Sequence, residues 1–188
     1  MDTLEMNPKS NDVANNNNNS ENGMVMIEGD YATIRYERRL AHPREVVWKA
    51  ITDPKELAAW MNTKAVIDGR NGGTIDFVNT VSGFHTTGRI LVWHPPSVFE
   101  HEWHIVPNPQ VPKGEPEALI RWELVRDGDS STILISTFSR LTKHTSFRFG
   151  PGQHAYLDRL AAHLDHKMLP GWAEQFAVVK GSYPSWQS

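Results

Sequence analysis

Residues 151–183, PGQHAYLDRLAAHLDHKMLPGWAEQFAVVKGSY, constrain this chain most. Leu157, Leu160, Ala161, Leu164 and Met168 recur at the three- and four-residue spacing of one helical face. Trp172, Phe176, Val179 and Tyr183 continue a similar stripe. Pro170 carries no backbone donor, so a kink or break is expected there, with Pro170 opening the second half. Asp158, Arg159, Asp165, His166 and Lys167 fall mostly off the stripe. A helix this long and one-sided must bury its apolar face, and the rest of the chain offers strands to bury it against.

Tyr31 to Leu40 alternates, with Ile34, Tyr36, Arg38 and Leu40 on one side. Pro43 suits the first turn of a helix, and Asp53-Pro54 the cap and first residue of a second short helix ending near Trp60. Strands are expected at 64–68, 74–79, 84–93, 98–105, 118–126 and 132–141, separated by turn residues such as Ser82-Gly83 and Asp127-Gly128-Asp129. On 98–105 the alternation puts Phe99, His101 and Trp103 on one face and Glu100, Glu102 and His104 on the other. Residues 106–117 hold four prolines and read as a long loop, and 142–150 as a connector into the terminal helix. Short turns between consecutive strands make the sheet antiparallel. The expectation is an α+β fold: a twisted antiparallel sheet of about six or seven strands curled around the C-terminal helix, with two short helices after the first strand.

Residues 1–27 contain an unbroken Asn15–Asn19 run and little to bury, so they read as a disordered low-complexity tail before one domain at 28–185. The net charge is -3, and no stretch is basic enough to suggest a nucleic-acid partner. No apolar run reaches the length of a membrane span, and no signal-peptide pattern follows Met1. With no cysteine in the sequence, disulfides, thiolate nucleophiles and Cys-bound zinc are excluded. A cytoplasmic protein is expected, monomer or homodimer.

Four phrases carry a resemblance. They are AHPREVVWKAITDPKELAAWM (41–61), GRILVWHPPSVFEHEW (88–103), RWELVRDGDSSTILISTF (121–138) and PGWAEQFAVV (170–179). In this order they resemble the helix-grip fold of the START-like and Bet v 1-like (SRPBCC) superfamily. Within it they resemble the domain of the activator of heat-shock-protein-90 ATPase homologue family, over roughly 31–183. The segment 153–169 and the length of loop 106–117 depart from that pattern, and nothing resembles the separate N-terminal chaperone-binding domain of the eukaryotic co-chaperone. The resemblance implies a hydrophobic cavity between helix and sheet that takes a small apolar or aromatic molecule. It also leaves open a stress-related co-chaperone acting on a heat-shock ATPase, and a cyclase- or hydrolase-type enzyme.

The cavity wall is expected from Trp60, Phe77, Trp93, Trp103, Trp122, Phe138, Leu157, Leu160 and Trp172, with His101 or His154 as polar anchor. HPPSVFEHEWH (94–104) invites a zinc reading, but His101 and His104 point to opposite faces of a strand, so no metal is expected there. If Trp122 points inward, Arg121 and Glu123 point out. No G-x-S-x-G elbow or phosphate-binding glycine loop occurs. The sequence therefore marks no catalytic residue and no cofactor, and it leans away from an enzyme.

Overall fold

The computed structural model describes residues 21–184 other than Pro116. Most of the expected Asn-rich tail, residues 1–20, lies outside the described residues. The chain runs β1 (Met24–Glu28), β2 (Tyr31–Leu40), α1 (Arg44–Thr52), α2 (Pro54–Met61), β3 (Thr63–Ile67), β4 (Thr74–Asn79) and β5 (His85–His94). It continues through β6 (Val98–Glu102), β7 (His104–Ile105), β8 (Leu119–Arg126), β9 (Thr132–Thr142), α3 (Lys143–Leu164) and α4 (Trp172–Val179). All strand pairs are antiparallel, in the order β1-β2-β9-β8-β6-β5-β4-β3, with β7 added on β5.

Among the described residues the sheet has nine strands, against the six or seven expected. One extra strand is Met24–Glu28, which pairs with β2, so the ordered domain starts before residue 28. The other arises because the run 98–105 is interrupted at Trp103, whose N–H turns to the Ala118 carbonyl at 2.7 Å. The alternation on β2 behaves as the sequence suggests: Ile34, Tyr36, Arg38 and Leu40 are all buried.

The terminal helix departs most. It begins at Lys143, not near Gln153, with Thr142 as its cap. The Thr142 Oγ1 accepts from the Thr145 N–H, and this hydroxyl in turn donates to Glu115. Gly150-Pro151-Gly152 therefore lies inside the helix, not ahead of it. Side chains from elsewhere hold two of its carbonyls: the Tyr36 hydroxyl donates to Gly150 at 2.5 Å and the Trp172 indole to Gly152 at 3.1 Å. Helix α3 ends at Leu164, and Met168, expected on the buried stripe, is 94% exposed. The break thus precedes Pro170, and α4 starts after Gly171.

Arg159, placed by the sequence off the stripe, is buried and ties this corner together. Its Nε donates to the Trp60 carbonyl at 2.7 Å and its Nη1 to the Pro170 carbonyl at 2.6 Å. One guanidinium so fixes the end of α2 to the segment that launches α4, which sets where Trp172 and Phe176 lie.

Candidate functional site: an aromatic cavity between sheet and helices

The concave face of the sheet, α2, α3 and α4 enclose a cavity of about 500 Å³. Its floor comes from alternate residues of the central strands. Phe99 and His101 project from β6, Ile120 and Trp122 from β8, and Phe138 from β9, since these positions share one face by the two-residue period. Phe77 on β4 and Thr86 on β5 extend that floor, with Trp60 of α2 beside it. The roof is α3 and α4. Thr145, Phe149, Gly152, Gln153 and Tyr156 follow helical spacing along one face of α3, and Trp172 and Phe176 stack 5.2 Å apart on α4. The rings interlock: Trp103 meets Phe149 edge-on at 4.3 Å, and Phe138 edge-on at 5.9 Å.

Seven of the eleven expected wall residues meet here: Trp60, Phe77, His101, Trp103, Trp122, Phe138 and Trp172. Four do not. Trp93, beyond the register shift between Ile90 and Val92, packs edge-on against Trp48 of α1 and Phe99. Leu157 and Leu160 lie in the later half of α3, fully inside the core, where that helix packs on α2 and β2. His154 points the other way around α3, toward Tyr183. The sequence reading missed Phe149, Gln153, Tyr156 and Phe176. The first three recur at a helical interval, a signal lost when residues 142–150 are read as a connector. Arg121 and Glu123 do face outward, and Arg121 pairs with Glu123 at 3.1 Å and with Glu100 at 2.6 Å.

Apolar surface dominates the lining, and polar side chains interrupt it. His101 is 1% exposed, and burial pushes its imidazole down to about 4, partly offset by its bond to the Glu102 carbonyl. The ring is therefore neutral at pH 7. Its Nδ1 lies 2.8 Å from that carbonyl, which only accepts, so Nδ1 carries the proton. Gln153 is 5% exposed, and its Nε2 is buried with no hydrogen-bond partner among the described residues. The Tyr156 hydroxyl is held by the Asn79 amide at 3.0 Å. His144 and Arg148, in the first turns of α3, add basic groups to the lining. Among the described residues no carboxylate lines the cavity.

A second polar cluster sits outside the cavity. His154 Nδ1 is 2.9 Å from the Tyr183 hydroxyl, and its Nε2 is 3.5 Å from Asp158. Burial, and secondarily the Arg38 guanidinium, lower His154 to about 4, while burial raises Asp158. Glu21, His154 and Asp158 place ligand atoms within 4.8 Å of one another, a spacing that a metal ion would accept. Two features oppose a cation there. The buried Arg38 brings positive charge to the same carboxylates, and Gln175 already donates to Asp158 at 2.5 Å. The cluster instead ties the N-terminal segment to the C-terminal one, since the Gly23 N–H donates to the same Tyr183 hydroxyl at 2.8 Å.

No described helix is long and apolar enough to cross a membrane. A search for similar curated proteins gives no match. Among solved structures, CalU16 from Micromonospora echinospora is 22% identical, covers 86% of this chain and 91% of its own, and superposes with a TM-score of 0.64. The protein encoded by BPP1335 from Bordetella parapertussis is 21% identical, with coverage of 83% and 85% and a TM-score of 0.64. A conserved protein of unknown function from Enterococcus faecalis is 14% identical, with coverage of 85% and 89% and a TM-score of 0.63. At these identities the likeness is one of fold, and it supports the helix-grip architecture. The family model described as Activator of Hsp90 ATPase homolog 1-like protein matches residues 41–165, from α1 to the end of α3. That match covers more than half of the chain, and the chain belongs to this family.

Proposed function

We propose that the protein binds one small, largely apolar aromatic molecule in the cavity between α3, α4 and the sheet. The observation that carries this reading is the cavity itself: about 500 Å³, walled by aromatic rings and lined mostly by apolar surface. That volume and composition suit a small-molecule site. A two- or three-ring ligand burying about 300 Å² of apolar surface gains roughly 7 kcal/mol before the costs of association. The cavity walls, taken residue by residue, offer binding and orientation; without a carboxylate among them they do not supply a carboxylate acid–base pair. A co-chaperone acting through its surface is the competing reading, and the family description alone speaks for it. A cysteine-free sequence suits a cytoplasmic setting.

A thermal-shift panel of uncharged aromatic compounds tests the proposal. A ligand of the native state adds stability as RT ln(1 + [L]/Kd), about 2.7 kcal/mol at a hundredfold excess over Kd. A concentration-dependent rise with aromatic compounds, reduced by Thr86→Phe in the cavity floor, is the expected result. A flat response from a folded protein across the panel would move the weight to the surface-acting reading.

A further inference from the structure

The polar atoms of the cavity restrict the chemistry of what it holds. His101 is tethered through Nδ1–H to the Glu102 carbonyl at 2.8 Å. In a neutral imidazole this leaves Nε2 as a lone-pair acceptor. Among the described residues nothing pairs with that atom. The tether is built into the backbone. Opposite it, Gly88 has no Cβ, and one placed there would stand 1.9 Å from the same Glu102 carbonyl oxygen. The strand pairing thus reserves room for the carbonyl that fixes the tautomer. The ring is held flanked by Phe99 at 4.8 Å and Phe77 at 6.1 Å.

Gln153 is another polar residue of the lining. Its Nε2 is buried on the α3 side of the cavity and has no hydrogen-bond partner among the described residues. A buried amide nitrogen without a partner costs stability. Neither group carries charge at neutral pH: glutamine has none, and His101 is a desolvated neutral imidazole, whereas the basic His144 and Arg148 of the lining are exposed to solvent.

Resting on the reading of this cavity as a binding site, we infer that its ligand is an uncharged aromatic alcohol. The hydroxyl donates to His101 Nε2. A carboxylate analogue has no proton to give to Nε2 at pH 7 and would leave a charge desolvated between Phe77 and Phe99. An ether analogue keeps the rings and the oxygen but carries a methyl group in place of the donor hydrogen.

Isothermal titration calorimetry with 2-naphthol, 2-methoxynaphthalene and 2-naphthoate tests this on the full chain at pH 7.5. The wild-type protein should bind 2-naphthol about tenfold more tightly than 2-methoxynaphthalene, the worth of one neutral hydrogen bond. It should bind 2-naphthoate most weakly. In His101→Phe the preference of naphthol over the ether should vanish while the ether still binds. In Gln153→Met, which changes another polar position, the preference should persist. If the ether binds wild-type protein as tightly as naphthol, if the preference survives in His101→Phe, or if naphthoate binds best, the inference fails while the cavity reading stands. If none of the three binds a folded protein, both fail.

Discussion

The desolvated His101 makes stability depend on pH in a way that one substitution isolates. Unfolded, this histidine titrates near 6.5; folded, burial lowers it to about 4. Between those values the unfolded chain binds a proton that the native protein does not, so native stability falls as pH falls through that window. The contribution is fully present above about 6.5 and fully lost below about 4. Over the whole window it amounts to about 3 kcal/mol, and between pH 7.5 and pH 5 to about 2 kcal/mol. His154 shifts in the same direction, lowered to about 4, so wild-type protein loses stability from both groups. The clean observable is therefore the difference between wild type and His101→Phe, in which the His154 part cancels. A phenyl ring is close in volume and sits between Phe77 and Phe99, so the variant should fold. In urea unfolding followed by tryptophan fluorescence, the gap between the two proteins should move by about 2 kcal/mol in favour of the variant from pH 7.5 to pH 5, roughly a 1 M change in relative midpoint. A gap that stays constant across that range would mean that His101 titrates normally, and the argument from its burial would be refuted.

Two further outcomes follow from backbone contacts around the cavity. Gly88→Ala sets a methyl against the Glu102 carbonyl at 1.9 Å, so it should cost about 2 kcal/mol or more in denaturant unfolding and displace the His101 ring signals in an NMR spectrum. Tyr36→Phe removes the hydroxyl that holds the Gly150 carbonyl in the middle of α3 and should cost about 1–2 kcal/mol by thermal unfolding, with little change at the cavity floor.

The fold was legible because its strands obey a strict period and its turns carry the right residues. On β2 every second side chain is buried, and Phe99, His101 and Trp103 share the inner face as their alternation requires. Alternation placed most of the wall because strand floors follow a two-residue rule. It failed at Trp93, where an irregularity in β5 pairing and the position of α1 decide the surroundings, and neither is written in the local sequence. It failed again on the terminal helix. Glycine and proline at 150–152 read as punctuation, yet donors from Tyr36 and Trp172 hold carbonyls in that segment and α3 runs through it. That shift by eight or more residues moved the expected cavity face from Leu157 and Leu160 to Phe149, Gln153 and Tyr156. Arg159 shows the same limit: a charged residue that looks solvated is buried because two distant carbonyls, of Trp60 and Pro170, receive it.

The indole N–H signals of the tryptophans test occupation of the cavity most directly. Trp60, Trp103, Trp122 and Trp172 line it, whereas Trp48 and Trp93 pack on each other outside it. In a titration of the ¹⁵N-labelled protein with 2-naphthol, the first four signals should shift together and saturate, and the Trp48 and Trp93 signals should stay in place. No saturable shift, or shifts confined to Trp48 and Trp93, would contradict a ligand bound between the helices and the sheet.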